Sequence, residues 1–245
     1  MTRVETLRAF RFALDPTPAQ IADLNRHAGA ARWAFNHALG EKVAAHRQWR
    51  TQVDALVADG TPEAQARKTV KVPTPRHPGI KKRLNAIKGD SRTDPEPPDG
   101  FHGPHRPCPW FHEVSTYAFQ SAFDDADRAW KNWQDSLAGG PVGYPHFKRK
   151  GRARDSFRLH HTVTTPTIRL DGYRQLRMPR LGSIRIHDSG KRLARLIAKG
   201  QAVVQSVTVS RGGTRWYASV LTKVLQDVPD KPTRAQIERG TVGVD

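Results

Sequence analysis

Ser206-Val207-Thr208-Val209-Ser210, then Arg211-Gly212-Gly213-Thr214-Arg215, then Trp216-Tyr217-Ala218-Ser219-Val220-Leu221: this stretch decides the fold. Apolar and polar residues alternate on either side of a Gly-Gly pair. A period of two fits strands with one buried face, and the glycines supply hairpin-turn chemistry. Reading back towards the N-terminus, the same signals return at Thr162-Val163-Thr164, Thr167-Ile168-Arg169-Leu170 and Ser183-Ile184-Arg185-Ile186, with Gly172 marking another turn. Leu193 to Ala198 suits either a short helix or a strand. Tyr144 to Lys223 holds 18 Lys and Arg against three acids, Asp155, Asp171 and Asp188. That surplus of 15 sits in a chain whose whole formal charge is +18. The sequence therefore predicts a basic, mostly antiparallel β unit whose natural partner is a polyanion.

Upstream, Leu7 to Leu14 reads as a strand with Phe10, Phe12 and Leu14 on one face. It stops at Asp15-Pro16-Thr17-Pro18, where Thr17 can cap a helix and Pro18 can fill its first position. Ile21, Leu24, Ala28, Ala31 and Phe35 then recur at helical spacing, with Gly29 as a break. The pattern continues through Val43 to Trp49, weakly through Val53 to Ala58, and Pro62 opens another short helix. Nine prolines between Val72 and Pro109 rule out long helices and central strands there. One short basic helix fits Ile80 to Ile87; the rest reads as loop. The strongest helical stripe is Val114, Ala118, Ala122, Ala126, Trp130 and Trp133, widened by Phe119 and Phe123, extended by Leu137, and ended by Gly139-Gly140-Pro141. Packing the first strand with the later ones makes the fold α+β: a basic antiparallel β-barrel interrupted by a helical insertion.

The 245 residues, 37% hydrophobic with six Trp and nine Phe, suffice for a packed core. A pI near 10.8 favours phosphate backbones, with a membrane surface as the other acceptor. No apolar run approaches the ~18 residues of a spanning helix, and no export signal follows Met1, so a cytoplasmic protein without a membrane partner is expected. A single cysteine, Cys108, excludes an internal disulfide framework. His102, His105, Cys108 and His112 have the residue types of a metal site, but the Pro-rich setting and lone cysteine argue against one. The run Lys148, Arg149, Lys150, Arg152 and Arg154 is the leading candidate for phosphate contacts, joined by Arg158, Arg180, Arg185, Arg211 and Arg215. Tyr144, Phe147, Phe157, Trp216 and Tyr217 interleave with these charges and have rings that can stack on bases, Tyr144 and Tyr217 being the first candidates. Phe157 and Trp216 read as core, as do Trp130 and Trp133.

Several of these segments together resemble the TnpB proteins, OrfB-type transposon-encoded RNA-guided nucleases related to type V CRISPR effectors. They are Leu7-Arg-Ala-Phe-Arg-Phe-Ala-Leu-Asp-Pro-Thr-Pro-Ala-Gln20, Ala31-Arg-Trp-Ala-Phe-Asn-His-Ala-Leu39, Val114-Ser115 through Trp133, Gly143-Tyr-Pro-His-Phe-Lys148, Asp155-Ser-Phe-Arg158, Met178-Pro-Arg-Leu-Gly182 with Ile184-Arg185, Ser206 to Arg211 and Arg215 to Ser219. Any one alone is weak; the ordered set is specific. The resemblance implies a wedge-like barrel formed by residues 1–15 and 143–228, a helical recognition insertion at 16–142 with its Pro-rich loop at 72–109, and at 229–245 a linker and the first strand of a RuvC nuclease domain. It implies guide RNA and target-adjacent DNA as partners. Val242-Gly243-Val244-Asp245 matches the strand that ends in the first catalytic, metal-binding carboxylate, and Mg²⁺ is expected for an intact member. The remaining carboxylates and zinc cysteines of the pattern would follow residue 245. Two-metal hydrolysis needs several converging carboxylates, so this chain as it stands is expected to bind without cutting and to need no cofactor. The alternatives are a fragment of an intact endonuclease and a non-functional transposon remnant. The family's helix-turn-helix has been placed near Ala19 to Leu39, but no basic recognition helix is evident there, so the segment is assigned to the helical insertion.

Overall fold

The chain forms, in order, β1 (Thr2–Asp15), α1 (Pro18–Ala58), α2 (Glu63–Thr69), α3 (His77–Ile87), a 3-10 turn (Pro109–His112), α4 (Thr116–Ser136), β2 (Ser156–His160), β3 (Arg169–Leu170), β4 (Gln175–Met178), β5 (Gly182–Ile186), α5 (Lys191–Ala198), β6 (Ala202–Gly212) and β7 (Arg215–Val228). This computed structural model describes residues 2–87, 109–162, 164 and 166–228.

The opening strand is central to the sheet. β1 pairs with β7 from Thr2↔Val228 to Ala13↔Tyr217, then passes to β5 through Leu14↔Ile186. The seven strands lie in the order β2-β6-β7-β1-β5-β4-β3, each pair antiparallel. Phe12, Ala218, Val209 and Phe157 align across β1, β7, β6 and β2 by register, and all four are buried.

The expected barrel is not closed: β2 and β3 remain as edges. The residues joining them use side chains where a ladder would use backbone. Thr167 Oγ1 accepts from the Thr162 N–H and donates to the His160 carbonyl, while the Ile168 N–H donates to His161 Nδ1. The strand expected at residues 162–164 does not form at Thr162 or Thr164, Val163 lies outside the described residues, and the strand expected at 167–170 shrinks to Arg169–Leu170. Edge strand β2 is shielded by α4, whose Ser121 Oγ donates to the Arg158 carbonyl at 3.1 Å.

Gly29 does not interrupt α1, which runs unbroken for 41 residues. A lone helical glycine costs only ~1 kcal/mol relative to alanine. Here it is flanked by Ala28, Ala30, Ala31 and Ala34, all buried. The helix begins with a capping box in which Thr17 and Gln20 satisfy each other's N–H groups. Gln20 Nε2 also donates to the Ser183 carbonyl at 2.9 Å, fixing the start of α1 to β5. Against α1 lies α4 with its expected stripe: Ala118, Ala122, Ala126 and Trp130 are buried with Phe119 and Phe123, and Trp133 is half-buried beside them. Leu137 departs from the expectation; it caps the C-terminus and is 67% exposed. One continuous buried cluster joins these helices, Ile80 and Leu84 of α3, and the inner face of the sheet. A small satellite of Val53, Ala66 and Val70 holds α2 against the end of α1.

Candidate nucleic-acid interface

After α4 the chain runs back along α1, and three contacts fix its path. Asn36 Nδ2 donates to the Lys148 carbonyl at 2.9 Å, and the Lys148 N–H donates to Asn36 Oδ1 at 2.8 Å. One amide side chain thus stands in for a strand neighbour. Lys148 Nζ lies 4.0 Å from the centre of the Phe35 ring. Burial holds the Lys148 ammonium below the usual lysine range, with Asp125 partly opposing. Phe147 rests beside Gly40 of α1, where a Cβ would sit at ordinary van der Waals distance, 3.9 Å, from its ring.

Tyr144 settles edge-on against Trp133 (4.8 Å) and Trp130 (5.7 Å), near His46. Burial pushes its phenol pKa up and lowers that of His46. Beyond Lys148 the chain makes a tight turn in which the Arg149 carbonyl accepts from Arg152 and Ala153. Gly151 supplies the positive φ of +79° that this turn requires. The result is an open groove of about 800 Å³ bordered by Arg47, Tyr144, His146, Phe147, Arg149 and Arg152. Phe147 is 50% exposed and Tyr144 37%. Three exposed guanidiniums beside two aromatic faces, with no carboxylate in the lining, is the chemistry of a site for an unstacked nucleotide: rings to stack on the base, cations to meet the phosphates.

The remaining candidates do not line this groove. Lys150 is exposed on the same turn. Arg154 reaches β6, with Nη2 donating to Ser210 Oγ at 2.9 Å and Nε to the Arg211 carbonyl. Arg211 and Arg215 are exposed around the β6–β7 turn. Arg158 is drawn into an ion pair with Asp125, half-buried. Tyr217 has the Arg11 guanidinium stacked 4.2 Å from its ring centre, so one of its faces is occupied. Arg180 is exposed at a positive φ of 63° in the β4–β5 turn, and Arg185 sits 3.8 Å from Asp15. Thus Tyr144, Arg149 and Arg152 come together, Lys148 and Arg158 turn inward, and Arg180 and Arg185 belong to the opposite half of the sheet. Phe157 and Trp216 are buried at 4% and 3% exposure. Sequence reasoning missed Arg47 and ranked Phe147 behind Tyr144 and Tyr217 as a stacking ring. The signal for Arg47 is its place one helical turn after Val43, inside the expected helical stretch; that the segment 144–153 returns beside it is visible only in the structure.

Asp245, with His102, His105 and Cys108 of the histidine-rich segment, lies outside the described residues. Among the described residues no three His, Cys, Asp or Glu side chains are grouped to hold a metal ion, and no helix is long and apolar enough to cross a membrane.

The sequence is similar to that of known proteins. Residues 1–50 match the OrfB/IS605-type family described as a helix-turn-helix domain. In the structure those residues are β1 and the first part of the single helix α1, with no turn between two helices. Across 98% of its length the chain is 35% identical to "Putative RNA-guided DNA endonuclease MT2953" of Mycobacterium tuberculosis (strain CDC 1551 / Oshkosh), covering 46% of that protein. It is 23% identical over 235 residues to "Putative RNA-guided DNA endonuclease InsQ" of Escherichia coli (strain K12), covering 45% of it. The chain spans about half the length of the curated relatives it matches.

Proposed function

We propose that this chain, a protein of the TnpB (OrfB) type, is a nucleic-acid recognition module that holds guide RNA and contacts DNA beside the target. In RNA-guided recognition the protein reads backbone shape and a short motif while base pairing reads the sequence. The observation that carries the proposal is the groove between α1 and the segment 144–153, where exposed Tyr144 and Phe147 stand beside Arg47, Arg149 and Arg152. It is supported by the surplus of 15 cations from Tyr144 to Lys223. The test is fluorescence-anisotropy titration of the purified chain with labelled single-stranded RNA at several salt concentrations. Reversing Arg149 and Arg152 to Glu should lower affinity at least tenfold and flatten the salt dependence by ~0.7 per lost phosphate contact on a single strand. Unchanged affinity rejects the groove as the site.

The relatives' names and the half-length span favour a second reading: cleavage belongs to a longer protein of which these residues are a part. Asp245 would then supply one carboxylate to a Mg²⁺-dependent site, completed by residues beyond those described. Sequencing the encoding DNA past codon 245 decides it: an open frame with further acidic residues supports this reading, an immediate stop codon rejects it.

A further inference from the structure

We infer that the outer face of α5 is a second nucleic-acid surface, chemically unlike the groove, that grips the phosphate backbone of a duplex. This deepens the proposal above and rests on it. α5 is a two-turn helix, Lys-Arg-Leu-Ala-Arg-Leu-Ile-Ala, anchored by Leu193, which is 1% exposed and packed in the main core. Lys191, Arg192, Arg195 and Lys199 all point outward and are exposed. Their spacing, i, i+3 and i+7 from Arg192, puts Arg192, Arg195 and Lys199 along one helix face. The face extends ~10 Å at 1.5 Å per residue, close to the axial rise spanned by four successive phosphates on one strand at ~3.4 Å per step.

Like charges three and four apart on a helix are mutually destabilising. Several helical cations elsewhere are neutralised: Arg26 by Asp23 and Glu113, Arg83 by Glu41, Lys131 by Asp135. Among the described residues Arg192, Arg195 and Lys199 have no carboxylate partner. Lys191 has only the Tyr173 ring, 6.0 Å away. A short helix that keeps four uncompensated cations on one side is built for an anion supplied from outside. The adjoining depression, about 510 Å³, is lined by these four side chains with Ser189, Leu196 and Gln201. No aromatic ring lines the depression itself, which offers phosphate contacts and hydroxyl or amide hydrogen bonds; the nearest exposed ring, Tyr173, stands outside it beside Lys191. That chemistry fits a helical duplex, whose bases are already stacked and whose phosphates face outward, rather than an unpaired strand.

The experiment compares the full chain with R192Q/R195Q/K199Q and, separately, R149Q/R152Q. Ligands are a blunt 20-base-pair DNA duplex, an RNA duplex of the same sequence, and a single strand, each titrated over a range of salt. Vesicles containing phosphatidylserine are a further arm. The α5 variant should reduce the slope of log affinity against log salt on a duplex by ~2–3, at ~0.9 per phosphate. Its single-strand affinity should stay within about threefold, and the groove variant should show the reverse pattern. The duplex that shows the loss, DNA or RNA, identifies the source of the backbone. Equal slopes for wild type and the α5 variant on both duplexes overturn the inference, as does a loss confined to vesicles. If the wild-type chain binds neither single strand nor duplex, the proposed function itself fails. Circular dichroism checks folding; removing like charges from an exposed face should leave the melting temperature unchanged or raised.

Discussion

His27 shows how one side chain couples fold and pH. It is 1% exposed. Its Nδ1 donates to the Asp23 carbonyl at 2.8 Å and its Nε2 accepts from the Ser115 N–H at 3.1 Å, so the ring is held neutral in a single tautomer. Burial, more than the nearby Arg26 and Arg180, lowers its pKa. The unfolded chain therefore binds a proton more readily than the folded one. Stability from this residue is fully present above the ordinary histidine value of ~6.5 and is lost as pH falls below it. His46, His160 and His161 are also lowered by burial and act in the same direction. Urea unfolding at pH 8 and pH 5.5 should show a marked acid loss for the wild type and a smaller one for His27→Gln; equal losses would refute the assignment. Phe147 is the converse case. Half-exposed and resting at Gly40 of α1, it contributes little to the core. Phe147→Ala should leave the melting temperature within about 2 °C while weakening single-strand binding by ~1–3 kcal/mol, the worth of one stacked base.

At the level of elements, the helical layer is fastened by a few polar ties around an alanine-rich seam. Lys42, 1% exposed in the middle of α1, places Nζ 2.6 Å from Asp127 Oδ1 of α4 and also donates to the Pro75 carbonyl. Asp127 Oδ2 accepts from the His77 N–H, and His77 Nδ1 pairs with Asp124 at 2.5 Å. These bonds seat the start of α3 on both long helices. The partners are unequal: Asp127's side chain is 29% exposed, Lys42's only 2%. Removing the carboxylate leaves a buried cation, whereas removing the cation leaves a partly hydrated anion. Asp127→Asn should therefore cost ~3 kcal/mol, in the range for breaking a buried pair from one side, and Lys42→Met distinctly less. Chemical denaturation of both variants checks the order, and the reverse order would show that Asp127 is the more buried charge. At the start of α1, Thr17→Ala removes one half of the capping box and should cost ~1 kcal/mol by the same measurement. The contact from Gln20 to β5 means that loss should also loosen the β1–β5 junction, seen as faster amide exchange at His187, whose N–H donates to the Ala13 carbonyl at 2.8 Å.

Across the whole molecule, charge is divided unevenly between the layers. Most of the carboxylates lie outside residues 144–223, and the ion pairs of α1 to α4 consume much of the cationic charge there. The strand-rich part keeps its cations for solvent, at the 149–152 turn, around the β6–β7 hairpin and on α5. A chain of +18 arranged this way repels itself at low ionic strength, and salt or a bound polyanion relieves the repulsion. The melting temperature should accordingly rise when NaCl is increased from 20 to 200 mM, and more strongly on adding nucleic acid at low salt. A fall with added NaCl would mean that the net repulsion is outweighed by the paired charges of the helical layer.

The sequence by itself determined the parts that depend on local rules. Alternation named the β6–β7 hairpin, the Thr17-Pro18 pair set the start of α1, and the Trp130 stripe gave α4 and its buried face. All are short-range patterns that burial then reinforces. The total charge and its concentration after Tyr144 were legible as well, because charge is a property of composition. Only the tertiary structure decided the rest. Gly29 stays helical because packing by neighbouring alanines outweighs its propensity. Lys148 and Arg158 turn inward because Phe35 and Asp125 lie beside them in space, far away in sequence. Phe147 and Arg47, about 100 residues apart, border one groove because α1 runs on unbroken and Asn36 holds the returning chain against it. The sheet stays open because β3 is two residues long and side chains bridge the remaining gap, a balance between backbone and side-chain hydrogen bonds that no period in the sequence records.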